Sequence, residues 1–90
     1  MRVTVRLFAR LREVAGRSEW TCEVEPGASV ADVWRALASR YPGLEPFGRS
    51  ISSALNTDFA KMTALVHDGD EVAFLPPVSG GAQVETFLSS

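Results

Sequence analysis

The glycine pair Gly80-Gly81, in the run LPPVSGG at residues 75–81, is the part of the sequence best suited to chemistry. Pro76 and Pro77 favour an extended chain. The two glycines remove all side chains from the end of that extension, so it fits a slot too narrow for a Cβ atom. If Gly81 becomes the terminal residue, its carboxylate is open to adenylation, and a sulfur nucleophile can convert the acyl-adenylate into a thiocarboxylate. Taken alone, a Gly-Gly pair is more often a flexible linker.

The other residues with reactive side chains form no catalytic constellation. His67 is expected to be a solvated turn residue, and its neighbours Asp68 and Asp70 are expected to form a turn rather than bind a metal. Cys22 is the single cysteine and is expected to be a small buried hydrophobe. One thiol provides neither a disulfide nor a metal-ligand spacing. The sequence therefore predicts no metal site, no bound cofactor and no catalytic machinery of the chain's own.

Alternating apolar and polar residues predict the strands that must position the tail. These strands cover residues 2–8, 19–25, 51–55, 59–62 and 71–75. The first two strands are expected to form a hairpin, with residues 9–16 as a short helical turn or loop between them. Residues 56–58 and 68–70 have the residue types of turns. Pro76 and Pro77 end strand pairing, because proline has no N–H to donate.

One strong helix is predicted to begin after Ser29. Ser29 and Asp32 have the spacing of a capping box, and Pro42-Gly43 is expected to end the helix. Residues 43–50 are predicted to be a loop. An apolar stripe at helical spacing consists of Val30, Val33, Trp34, Leu37, Ala38 and Tyr41. This stripe is expected to pack in the core rather than to bind a ligand.

The order of these elements predicts an α+β fold in a single domain of 90 residues. One main helix is expected to pack on one face of a mixed sheet of four to five strands. The ubiquitin-like β-grasp topology has this order, and it is one of several topologies that the pattern allows.

Composition and charge favour a protein of the cytoplasm that binds neither nucleic acid nor membrane. The net charge of −2 argues against nucleic acid, although five arginines fall within the first seventeen residues. Strand and loop surfaces require such charges in any case. No apolar run approaches the roughly twenty residues of a membrane helix, and the amino terminus has no signal-peptide pattern.

Residues 68–81, with the sequence DGDEVAFLPPVSGG, closely resemble the ending of the molybdopterin synthase small-subunit family. The resemblance extends to residues 5–13, VRLFARLRE, and to residues 54–56, ALN, at the family's spacing before the DGD turn. It thus covers nearly all of residues 1–81. A fourteen-residue match is far more specific than a Gly-Gly pair.

The resemblance implies a β-grasp domain at residues 1–76 and an extended tail at 77–81. It implies that an E1-like enzyme uses ATP to adenylate Gly81, while Gly80 provides clearance in a channel. A sulfur donor of the cysteine desulfurase or rhodanese type would then supply the sulfur, and the large synthase subunit would receive the thiocarboxylate. The implied partner contacts are Phe8, Phe74, Leu75, Pro76, Pro77 and Val78. For Phe8 and Phe74, packing in the core or at an edge is an equal alternative.

The sequence departs from the family after the glycine pair, because residues 82–90 follow with the sequence AQVETFLSS. While Gly81 is in a peptide bond it has no carboxylate to activate. The extension indicates a precursor that a peptidase matures, a fragment of a lost fusion partner, or a β-grasp interaction module that no longer transfers sulfur. If the chain is a carrier, its pathway is molybdenum-cofactor synthesis or, alternatively, thiamine, tRNA thiolation or cysteine synthesis.

Overall fold

The computed structural model describes residues 1–77, which form five strands, two α-helices and one 3₁₀ helix. In chain order these are β1 (Arg2–Leu7), α1 (Ala9–Ala15), β2 (Glu19–Glu23), α2 (Val30–Arg40), the 3₁₀ helix (Pro42–Phe47), β3 (Ser52–Leu55), β4 (Asp58–Ala60) and β5 (Glu71–Leu75). Within this described part, neither α-helix has the length and apolar character needed to cross a membrane.

The five strands form one mixed sheet in the order β2-β1-β5-β3-β4. β5 pairs parallel with β1, whereas β1–β2, β3–β5 and β3–β4 are antiparallel. The apolar residues of α2 and of one face of the sheet form a single core. This arrangement confirms the predicted α+β fold and the mixed sheet with one main helix on one face.

The alternating residues of β1 form a strand with one buried face, and the capping signal marks the start of α2, as predicted. Val3, Val5 and Leu7 of β1 are completely or almost completely buried. α2 begins with a capping box in which the Ser29 side chain accepts a hydrogen bond from the Asp32 N–H. The Asp32 carboxylate accepts one in return from the Ser29 N–H at 2.9 Å. The stripe of α2 packs against the sheet, as predicted.

Three elements differ from the prediction by more than one residue. The segment predicted as a loop over residues 43–50 contains the 3₁₀ helix, which begins with Pro42 and buries Leu44 completely. Proline is well suited to a first helical turn, so the same residue ends α2 and begins the next element. β4 covers Asp58–Ala60 instead of residues 59–62, and β2 ends at Glu23 instead of residue 25.

Candidate functional site

β5 is the central strand from which the tail leaves the domain. It pairs with β1 on one side and with β3 on the other. The strand ends at Leu75, after which Pro76 is half-buried and Pro77 is exposed. The exit point of the tail is therefore fixed by pairing on both sides. The predicted sites at Gly80 and Gly81, and the predicted contact Val78, lie outside the described residues.

Of the two roles predicted for Phe74, the structure shows core packing and contradicts partner contact. Its side chain is fully buried, and its ring packs edge-to-face on Trp34 with centroids 5.0 Å apart. Alternation along β5 places Phe74 on the same side of the sheet as Val72, toward α2. A partner could not reach this ring without opening the core.

The opposite side of the sheet carries a shallow groove of about 450 Å³, which we call the open face. Its lining residues are Arg6, Phe8, Ala54, Thr57, Phe59, Glu71, Ala73 and Leu75. Strand register sets four of them in one row across the sheet: Arg6 opposite Ala73, Ala73 opposite Ala54, and Ala54 opposite Phe59. The row brings together residues from four of the five strands, so the open face depends on the pairing of β1, β5, β3 and β4.

Exposed aromatic rings give the open face its character. The Phe59 side chain is 83% exposed and that of Phe8 is 43% exposed, while Leu75 is half-buried beside the exit of the tail. Exposed apolar groups that share one groove are typical of protein-binding surfaces. The structure therefore places two predicted contacts, Phe8 and Leu75, on an accessible surface that adjoins Pro76.

Phe59 is the most exposed large apolar residue of the described chain, and no sequence motif predicts a role for it. The sequence shows a phenylalanine in a short strand, and such a residue is normally core. Only the pairing of Phe59 with Ala54 reveals which side of the sheet its ring faces. A single residue of register shift would have reversed that assignment.

The turn between β3 and β4 positions Phe59. Its two central residues, Asn56 and Thr57, have φ angles of 50° and 76°. A two-residue hairpin turn with positive φ at both positions is of the I′ kind, which normally takes Asn-Gly. Thr57 is β-branched, and such backbone strain costs about 1–3 kcal/mol and often occurs where function requires a fixed geometry.

Hydrogen bonds from the start of β5 hold this turn in place. The Asn56 side chain accepts a bond from the Glu71 N–H and donates one to Asp70 Oδ1, both at 2.9 Å. The other Asp70 oxygen accepts from the His67 N–H at 2.7 Å. The bonds from the Asn56 side chain and the His67 N–H lower the pKa of Asp70 below its ordinary value, with the bond from Asn56 as the larger cause. Asp70 is thus a turn-forming residue, as predicted.

The remaining candidates lie away from the open face. His67 is an exposed turn residue, with 78% of its side chain accessible. Cys22 is half-buried on β2, and burial raises the pKa of its thiol, with the Glu23 carboxylate as the second cause. A raised pKa makes a thiol a poorer nucleophile at neutral pH.

Charged residues at the margin of the open face are paired with one another. The Arg6 guanidinium lies 3.3 Å from Glu71 and 3.9 Å from Glu19. Such exposed pairs contribute little to stability. They leave the apolar centre of the groove, between Phe8 and Phe59, as its distinguishing feature.

Comparison with known proteins agrees with this geometry. The ThiS family model matches residues 5–81. The molybdopterin synthase sulfur carrier subunit of Chlamydomonas reinhardtii is 37% identical over 83 residues, which cover 90% of this chain and the whole relative. The crystal structure of small archaeal modifier protein 1 from Haloferax volcanii aligns with a TM-score of 0.82 at 36% identity, covering 90% of this chain and all of that one.

A third similar structure is a complex. It contains subunits 1 and 2 of the molybdopterin-converting factor from Helicobacter pylori, and the matched chain has 26% identity and a TM-score of 0.63. The match covers 90% of this chain and all of that one. The likeness confirms the β-grasp fold, and the curated relatives are carrier subunits rather than enzymes acting alone. The chain therefore belongs to the ThiS family and is a small sulfur carrier of the molybdopterin synthase type.

Proposed function

We propose that the chain donates sulfur from a thiocarboxylate on Gly81 in molybdenum-cofactor biosynthesis, after residues 82–90 have been removed. The observation that carries this proposal is the path of β5, which directs the chain through Pro76 and Pro77 beside the apolar open face. A docking surface next to the exit of a side-chain-free tail suits a carrier that must deliver its terminus to another protein.

The chemistry needs an accessible acyl group and no acid or base from the carrier. The Gly81 carboxylate attacks the α-phosphate of ATP on an E1-like enzyme, which releases pyrophosphate and leaves an acyl-adenylate. The terminal sulfur of a persulfide on a cysteine desulfurase or rhodanese-type donor attacks the acyl carbon, and AMP leaves. A thiol then attacks the donor's sulfur in the resulting acyl disulfide, which releases the thiocarboxylate and leaves a disulfide between that thiol and the donor cysteine. No cofactor is held by the carrier, since ATP is used by the activating partner.

The domain and the tail have separate roles in this proposal. Residues 1–76 are the folded domain, and its open face docks on the large synthase subunit through Phe8, Phe59 and Leu75. Residues 77–81 are the tail, in which Pro77 and Val78 guide the chain and Gly80 gives clearance. The Helicobacter complex supports a pairing of this kind. The cytoplasm, where ATP is available, is the proposed location.

Maturation is required before activation, because Gly81 is followed by Ala82. A peptidase that cleaves this bond would expose the carboxylate and leave residues 82–90 as a separate peptide. The nine residues are the third segment of the proposed organisation, and they are not part of the active carrier.

Intact-mass measurement tests the proposal. The chain ending at Gly81 is incubated with an E1-like enzyme, ATP and a persulfide donor, and it should gain the mass that replaces one oxygen by sulfur. The chain of 90 residues should show no gain under the same conditions. Gly81→Ala is the matched variant of the shorter chain, and it should fold normally and transfer little sulfur. A shorter chain that never forms an acyl-adenylate would contradict the proposal and favour a non-transferring interaction module.

A second candidate is a role outside the synthase, because the similar small archaeal modifier protein 1 is named as a modifier and not as a synthase subunit. A carrier of this shape could serve thiamine synthesis, tRNA thiolation or cysteine synthesis with the same terminus. Deletion of the gene separates these functions, because each pathway loses a different product. Loss of the molybdenum cofactor alone supports the first assignment.

A further inference from the structure

We propose that residues 84–88 of the uncleaved chain fold back onto the open face and cover it until the extension is removed. This inference rests on the proposed function in one respect, because the covered surface is the one assigned to docking. Removal of residues 82–90 would then both create the Gly81 carboxylate and uncover the docking surface.

The open face needs an apolar occupant. Phe59 is 83% exposed and Phe8 is 43% exposed, and the small side chains of Ala54 and Ala73 line the same groove. Two aromatic walls with an alanine floor form a groove into which a bulky apolar side chain can insert. Exposed apolar surface of this kind is stabilised by contact with another apolar group.

The extension is long enough to reach the groove. Phe59 lies level with Ala73, two strands away across the sheet, and Leu75 follows Ala73 by two residues along β5. At usual strand spacings, Phe59 and Leu75 are therefore about 12 Å apart. The seven residue steps from Pro77 to Val84 span at most about 25 Å when extended. The chain can therefore turn back at Gly80-Gly81, where backbone freedom is greatest, and still arrive at the groove.

The composition of the extension fits this surface. Val84, Phe87 and Leu88 are spaced i, i+3 and i+4, so a single helical turn would present all three on one side. Glu85 is the one charged residue of the nine. The exposed Lys61 follows Phe59 by two residues, which is the spacing at which strand side chains share a face.

Attachment to the same chain makes a weak contact sufficient. A short flexible linker gives an effective concentration on the order of millimolar. A segment that binds the free surface with a dissociation constant of about 0.1 mM would then cover the open face in roughly nine molecules of ten. A separate peptide of the same sequence would leave the groove after cleavage, because dilution removes this advantage.

Paramagnetic broadening in the intact 90-residue chain tests the inference. A nitroxide is attached at Ser90→Cys in a Cys22→Ser background, and the reduced, diamagnetic label is the reference. Amide signals of Ala54, Phe59 and Ala73 should be lost selectively, whereas those of α2 on the other side of the sheet should remain. The double variant Phe87→Ser, Leu88→Ser should restore the lost signals.

Two further samples distinguish the possible occupants. A mixture of ¹⁵N chain without label and ¹⁴N chain with label should show no broadening of the open face; broadening there would assign the groove to a second copy and overturn the inference. Equal broadening of α2 and the open face in the labelled chain would also overturn it. The chain ending at Gly81 should have the same open-face amide shifts as the double variant.

The outcome is independent of sulfur transfer. If the signals are lost as expected but the shorter chain never forms a thiocarboxylate, the fold-back stands and the proposed function fails. If the thiocarboxylate forms and the signals are unaffected, the carrier function stands and the fold-back fails.

Discussion

At the scale of single residues, exposure separates two phenylalanines that the sequence presents alike. Phe59 and Phe74 both lie in short strands of mixed apolar and small residues. The first is 83% exposed on the open face, and the second is fully buried against Trp34. Their roles are therefore opposite: one is available to a partner and the other stabilises the domain.

Substitution of each phenylalanine should reveal this difference. Phe59→Ser is expected to change the free energy of unfolding by no more than about 0.5 kcal/mol, because an exposed side chain loses few contacts. Phe74→Ala should lower it by about 3–5 kcal/mol through the cavity left in the core. Urea denaturation measures both values. Calorimetric titration with the large synthase subunit should show weaker binding for Phe59→Ser, and unchanged binding would remove Phe59 from the docking surface.

Residue-level prediction from the sequence succeeded where the reason is local. The capping box at Ser29 and Asp32 needs a spacing of three residues and nothing else, and the structure confirms it. For Phe74 the sequence left core packing and partner contact as equal alternatives, because the side of the sheet that it faces depends on how β5 pairs with β1 and β3. No local pattern contains that information.

At the scale of elements, side-chain hydrogen bonds connect the β3–β4 turn to the start of β5. Asn56 bonds to the backbone of Glu71 and to the carboxylate of Asp70. The sequence predicted both turns from their residue types, but it gave no sign that they bond to each other. Fourteen residues separate Asn56 from Asp70, and only the completed sheet brings them together.

Acid should weaken this connection. The pKa of Asp70 is lower in the folded chain than in the unfolded one, so the carboxylate contributes stability that is complete above its ordinary pKa of about 4. The contribution is lost as the pH falls through the lower folded value, because below that value the Asp70 carboxyl is protonated in both the folded and the unfolded state. Urea denaturation from pH 6 to pH 2 should show this decline. Asp70→Asn should make the decline shallower, and so should Asn56→Ala, which removes the largest cause of the shift.

A result in which both variants keep the full acid dependence would assign it to other carboxylates. Asp32 is one such group, because bonds from the Ser29 backbone and the Arg35 side chain lower its pKa as well. Comparing Asp32→Asn with Asp70→Asn and Asn56→Ala separates the acid dependence that comes from the cap of α2 from that of the turn at β5.

At the scale of the whole molecule, the order of the strands determines where the tail emerges. The last strand of the described chain is inserted at the centre of the sheet, parallel to the first. The element order predicted the α+β class, but it left several topologies possible because parallel pairing of distant segments has no local signature. The resemblance of residues 68–81 to a known family supplied the topology, and the structure confirms it.

The central position of β5 predicts that the domain is complete without the tail. All the buried apolar residues of the described chain lie between Val3 and Phe74. A chain ending at Pro77 should therefore unfold within about 2 kcal/mol of the 90-residue chain, since it keeps the whole core and loses only the proposed contact of residues 84–88 with the open face. A chain ending at Ala73 is the matched control, and it should fail to fold because it loses the Phe74 ring and part of the central pairing. Circular dichroism and urea denaturation distinguish these outcomes. A loss of several kcal/mol on removing residues 78–90 would mean that the tail belongs to the folded domain, and a carrier whose tail is part of its core could not extend Gly81 into a partner without unfolding.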